Sequence, residues 1–427
     1  MSVHASKPTI YSIDYGTSNS LLCGSNPLEH FPLVPLDPFA PDPTILRSLI
    51  FTPTPNNWFF GHHAIQKYEE FSAEGRFLRS IKKFLPQLSF SGTTIHNQNF
   101  DLPALIGVFL REMRNRANQY YDTDVDRVVM GRPAIFSMDP KEDQLAQNRL
   151  EKACNLAGFK EVHFLPEPLA CAYEFAHVLT SPKLVLIVDL GGGTSDFSIV
   201  ELGKEKFEKN DVKSIFGLNL AGDAFDGQIM NDEISPYFGK GIQYNLPMND
   251  QILTLPKHIF NKLNKAHEIP LLAQKDIALL LSHAQMWMIN EEDNLKMQRL
   301  FILTEDHLGY KIYNSIEESK KQFSDETFAN FEFNYPGIEI KKMLSREHFE
   351  EYSYPLYEKI MNSLKETINQ ANISKEQIDL VCITGGCSKL RLIEEGLIKM
   401  FGKEKISTYQ YFHAVIRGLQ KKALEIL

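Results

Sequence analysis

Short apolar runs closed by Asp, Gly or Thr alternate along this chain with longer stretches whose apolar positions recur at helical spacing. Thr9-Ile10-Tyr11-Ser12-Ile13 and Leu184-Val185-Leu186-Ile187-Val188 are strand-length runs of this kind. Each closes on Asp, then Gly and Thr, and a second apolar run follows, Leu21-Leu22-Cys23 or Phe197-Ser198-Ile199-Val200. The pattern predicts two β-hairpins with Gly-rich turns. It further predicts helices at Leu105–Met113 and Lys141–Leu156, a strand at Val128–Met130, and loop and edge strand through the Pro-rich segment 31–55. A break from helix to strand near Ser181-Pro182 sets the expected boundary between a first unit, 1–181, and a second, 182–427.

The hairpin turns carry the chemistry. A turn without side chains lets backbone N–H groups approach an anion, most often phosphate. Asp14 and Asp189 beside the turns supply hard oxygen ligands suited to Mg²⁺ or its water shell. A single Asp-x-Gly-Thr is a common structural turn, but Gly191-Gly192-Gly193 destabilises a strand by about 1 kcal/mol per glycine relative to alanine. A matched pair of such turns is explained by two hairpins clamping a polyphosphate from both sides.

Composition narrows the class. The 427 residues, 43% hydrophobic and 23% charged, suffice for two or more packed units. A net charge of −9 with no long basic stripe argues against a nucleic-acid partner. No run is long and apolar enough for a membrane span, and no leader pattern precedes the first strand. Five cysteines without a C-x-x-C pair read as reduced thiols, and the expected location is cytoplasmic.

Ile13-Asp14-Tyr15-Gly16-Thr17-Ser18-Asn19-Ser20 and Val188-Asp189-Leu190-Gly191-Gly192-Gly193-Thr194-Ser195-Asp196 resemble the two phosphate motifs of the actin-like ATPases, in particular of DnaK-type heat-shock chaperones. Phe164-Leu165-Pro166-Glu167-Pro168-Leu169-Ala170 is similar to their connecting motif, and Leu220-Ala221-Gly222-Asp223-Ala224-Phe225-Asp226 to their G-G-x-D-F-D segment. Glu317 to Ser324 resembles the helix that grips the nucleoside, and Val381 to Leu390 the adenosine motif. The motifs follow the family's order from residue 13 to residue 390.

The resemblance implies an α/β fold of two lobes, each with a ribonuclease H-like core, and a nucleotide in the cleft between them. The C-terminal helix is expected to return to the first lobe. Asp14 and Asp189 would hold Mg²⁺ through its waters, while Gly16, Thr17, Ser18, Asn19, Gly191, Gly192, Gly193 and Thr194 cradle the phosphates of ATP or ADP. Phe77 to Leu85 resembles the segment carrying the catalytic lysine, which alignment puts at Lys82, with Lys83 as the alternative. Glu167, its backbone stiffened by Pro166 and Pro168, is the expected acid/base or water-orienting carboxylate. Asp196 would order the water or a monovalent cation. Gly222, Asp223, Glu317, Lys320, Lys321, Ser324, Gly385, Gly386 and Lys389 would contact the nucleotide. Lys389 replaces the family's usual Arg, so adenine stacking is expected to be weaker, and Phe412-His413 replaces an acidic pair, which leaves nucleotide affinity and base preference open.

Two features depart from the family. Asp226 and Glu317 are separated by more chain than DnaK-type proteins usually carry there, so 227–316 is expected to form an enlarged helical subdomain. Its Asp276 to Ile289 segment reads as helical and apolar on more than one face, with Met286, Trp287 and Met288 as a surface for a protein partner or co-chaperone. His267 and His283 lack a second ligand pair at metal spacing. After Gly418 only an amphipathic helix remains, so the expectation is a chaperone-like Mg-ATPase without the peptide-gripping β-sandwich, similar to the YegD-like group. A sugar or metabolite kinase and an ATP-dependent filament protein are the alternatives on the same fold.

Overall fold

The structure is a computed structural model and describes residues 6–71, 74–176, 181–203, 211–246, 251–408 and 413–427. Two five-stranded sheets share one plan. In the first, Ile10–Tyr15 is central; on one side Asn19–Ser25 pairs antiparallel with it and Leu46–Arg47 pairs antiparallel with that strand in turn, and on the other Arg127–Arg132 and then Glu161–Pro166 run parallel. In the second, Lys183–Leu190 is central; on one side Ser195–Leu202 pairs antiparallel with it and Val212–Leu218 pairs antiparallel with that strand in turn, and on the other Leu380–Thr384 and then Ile406–Thr408 run parallel. This duplicated plan is the two-lobe α/β fold that the motifs imply. The unbroken apolar run Val185–Val188 follows from it, because helices cover both faces of a central strand and leave it no polar side.

Capping explains where the lobe I helices start. The Asp101 carboxylate accepts from the Ala104 amide at the head of Leu102–Tyr121, and Asp139 accepts from Lys141 at the head of Pro140–Ala157. Both predicted helices lie inside these spans. Gly158, at φ 99°, ends the second in a left-handed turn.

Helices Glu167–Ala176 and Ala414–Ile426 pack on each other, the latter also against Ile10–Tyr15. Their apolar cluster joins Ile10 and Val129 of one sheet to Val185, Ile187 and Cys382 of the other through Ala170, Ile416 and Leu419. A Cβ on Gly418 would stand 1.6 Å from the Ala170 carbonyl oxygen, so only glycine permits this crossing.

Much of 227–316 packs into the large core of the second lobe through Phe238, Ile259, Leu263, Leu303 and Ile312. Here the expected helix over Asp276 to Ile289 is shorter. It ends at Met286, and Trp287 to Ile289 instead bond to the strand Gln243–Asn245, the Trp287 carbonyl accepting from Asn245 N–H at 2.9 Å. Pairing with an available strand edge wins over helix continuation. All five cysteines are free and buried, and among the described residues no helix is long and apolar enough to cross a membrane. Phe412 lies outside the described residues.

Candidate functional site

The two hairpin turns face each other. A Cβ added to Gly192 would lie 2.4 Å from Ser18 Oγ, and one on Gly193 would lie 2.9 Å from Thr17 Oγ1, so the opposed turns approach too closely for side chains on the second. Gly16 N–H donates to Asn19 C=O and Gly191 N–H to Thr194 C=O, each at 3.0 Å, closing the turns. The Gly16 carbonyl accepts from Ser48 Oγ at 2.8 Å. Asp223 N–H donates to Gly192 C=O at 2.7 Å, which ties the helix Gly222–Ile229 to the second turn.

Both turns line a cavity of about 720 Å³ that also receives Asp14, Lys82, Glu167 and Asp189. Lys82 Nζ lies 2.8 Å from Glu167 Oε1, with both side chains buried. Glu167 opens the helix Glu167–Ala176, so it aims from a helix start. Asp196, opposite Asp189 in the hairpin register, is buried and accepts from Ala134 N–H at 3.0 Å. One ammonium thus faces Asp14, Glu167, Asp189 and Asp196. Burial, then repulsion from Glu167, pushes the Asp14 and Asp196 carboxyls up to about 7 despite Lys82. The same causes, with repulsion from Asp196 and Asp14, put Asp189 well above the usual range. A site so overloaded with negative charge is suited to a cation. Among the described residues no three His, Cys, Asp or Glu side chains are grouped to hold a metal directly.

At the other end the same cavity is lined by Glu317, Lys320, Lys321, Ser324, Gly385, Gly386 and Lys389, as the motifs imply. Lys320 is buried and committed to protein partners, Asp226 at 2.7 Å and the Gly222 carbonyl at 3.1 Å, so it positions the helix Gly222–Ile229. Its helix ends at Gln322, and Ser324 sits in the turn beyond, donating to Lys321 C=O at 3.2 Å.

Residues outside the motifs also shape the site. Arg47, in the edge strand of the first lobe, reaches Glu317 of the second at 3.1 Å, and Arg79 lies 3.8 Å from the same carboxylate. Burial would raise the Glu317 carboxyl, but Arg47, Lys321 and Arg79 outweigh it and hold it at about 2. Beside this clasp Phe77 and Tyr310 pack with ring centroids 4.5 Å apart, again across the cleft. His62, held by the buried Asp37 at 2.9 Å, completes one wall. Arg47 and His62 lie where the sequence shows only a Pro-rich loop and an unpatterned helix start. The segment Asp276 to Ile289 lies away from this cavity and exposes Leu279, Met286, Trp287 and Ile289, with Met288 half-buried.

Comparison with protein families agrees with this geometry. The family model described as Hsp70 protein matches residues 83–267 and 291–423. The match covers well over half of the chain, and its one internal gap, 268–290, falls inside the enlarged region.

Proposed function

Because the chain belongs to the Hsp70 family, whose members are ATP-binding chaperones, we propose that it binds Mg-ATP between its lobes, hydrolyses it slowly and uses the nucleotide as a conformational switch. The observation that carries this reading is the cluster of four carboxylates around Lys82, set between two facing glycine turns. When bound, Mg²⁺ would be held through water by Asp14 and Asp189 and would neutralise charge on the phosphates.

The chain's own residues then have separate tasks. The turn amides at Gly16 to Ser18 and Gly191 to Thr194 cradle the phosphates. Lys82 faces the γ-phosphate, where its charge counts most as the transition state spreads negative charge over the equatorial oxygens. Glu167, with one oxygen on Lys82, orients a water with the other. As the water oxygen bonds to phosphorus, the bridging bond breaks, ADP leaves with its electron pair, and the water's proton passes to Glu167. Asp196 helps to order that water or a monovalent cation. Slow turnover follows from the clasp, since Arg47–Glu317 and Phe77–Tyr310 must part before the cleft reopens. The switch follows from phosphates that touch both lobes. A protein partner on 227–316 belongs to the same reading, supported by the exposed Trp287 and Met286. Turnover of ATP by the purified protein, with light scattering in the same sample, tests the ATPase against the filament alternative.

A further inference from the structure

Behind the phosphate turns lies a second cavity of about 530 Å³. It shares Thr17, Lys82, Gly193, Thr194 and Asp223 with the nucleotide cavity, and none of the nucleoside-side residues Lys320, Ser324, Gly385 or Lys389. The two cavities therefore share a wall formed by the second glycine turn, Thr17, Lys82 and Asp223, with the Lys83–Asp223 ion pair standing at that wall. The second runs between the lobes, with Arg79 and Lys83 on one wall and Gln228, Asn264 and His267 on the other. The exposed Gln87 and Lys265 also line it, so its far side opens to water.

We propose that this cavity is an orthophosphate route, through which the cleaved γ-phosphate leaves while ADP still fills the nucleotide cavity. The inference rests on the hydrolysis proposed above. ADP closes the first cavity on the nucleoside side, whereas orthophosphate forms against the shared wall. Along the second cavity the dianion meets Lys83, Arg79 and then Lys265. None of these holds it tightly, because each already faces a carboxylate: Lys83 lies 2.6 Å from Asp223, Lys265 2.7 Å from Glu268, and Arg79 3.8 Å from Glu317. Cations so paired lower the barrier to passage of an anion without making a deep trap. Such a route lets phosphate leave before ADP, which separates the two product steps.

The test is the exchange of ³²P-labelled orthophosphate with ADP-saturated protein, followed by rapid filtration, and it needs no hydrolysis. Ala266→Trp, which narrows the cavity at a half-exposed position, is expected to slow association and dissociation together by about tenfold with little change in affinity. Lys265→Glu, a surface change that spares the fold, is expected to slow association about tenfold at low salt and to recover at high salt. Unchanged rates in both variants would overturn the route, as would exclusion of orthophosphate by saturating ADP. Acid-quench measurement of ATP cleavage is independent of both rates, so a failure of the ATPase reading shows there and nowhere else.

Discussion

The ammonium of Lys83 lies 2.6 Å from the carboxylate of Asp223 and so joins the two lobes beside the second glycine turn. Its neighbour Lys82 stays within the first lobe, on Glu167. The two diverge because Ile81–Phe84 is a single 3₁₀ turn, entered from Ser80 at φ 55°, and a three-residue period rotates consecutive side chains by a third of a turn. This geometry supports Lys82 as the catalytic lysine and makes Lys83 a link across the cleft.

Lys82→Ala is therefore expected to slow ATP cleavage by about 10²-fold or more with modest change in ATP affinity. Lys83→Ala should leave cleavage intact and speed nucleotide release. Single-turnover cleavage and nucleotide titration separate the two variants; the reverse pattern would shift the assignment by one residue.

The clasp predicts a second result. Glu317→Gln removes the partner of both Arg47 and Arg79, and losing about 1.4 kcal/mol of closed-state preference would speed ADP release about tenfold. Stopped-flow displacement of a fluorescent ADP measures it. If Glu317→Gln and Arg47→Ala each release ADP at the wild-type rate, the clasp does not hold the cleft.

Stability without metal should fall as pH rises. Asp14 and Asp196 titrate at about 7 when folded, against roughly 3.9 for an unfolded aspartate. Between those values the folded state holds the extra protons, so the stabilisation is complete below the unfolded value and is lost as pH climbs through the folded one. Thermal melting with chelator should drop by several degrees across this window, and Mg²⁺ with ADP should restore the loss most at its upper end. A melting temperature that rises with pH under chelator would contradict the carboxylate cluster.

The hairpins and the order of the motifs were readable in the sequence because turn chemistry is local: Asp, Gly and Thr announce themselves within a few residues. What faces those turns was not. Arg47 meets Glu317 only because two sheets close on each other, and no spacing along the chain encodes that distance. In the sequence Lys320 is free to meet the nucleotide, and what the sequence does not reveal is that Asp226 pairs with it, since a buried ammonium needs a buried carboxylate. The helix over Asp276 to Ile289 was overrun because its composition suits a helix throughout, while the strand edge at Gln243–Asn245 that captures its end is invisible from the sequence.

The central claim, a phosphate clamp that needs both a cation and the second hairpin's aspartate, is tested most directly by orthophosphate production from ATP in wild type and Asp189→Asn, each with Mg²⁺ and with chelator. The account predicts slow turnover in wild type with Mg²⁺ alone. It also predicts that a well-folded Asp189→Asn is slower by about 10²-fold or more under the same conditions. Equal turnover in the two proteins, or turnover in wild type that survives chelation, would contradict it.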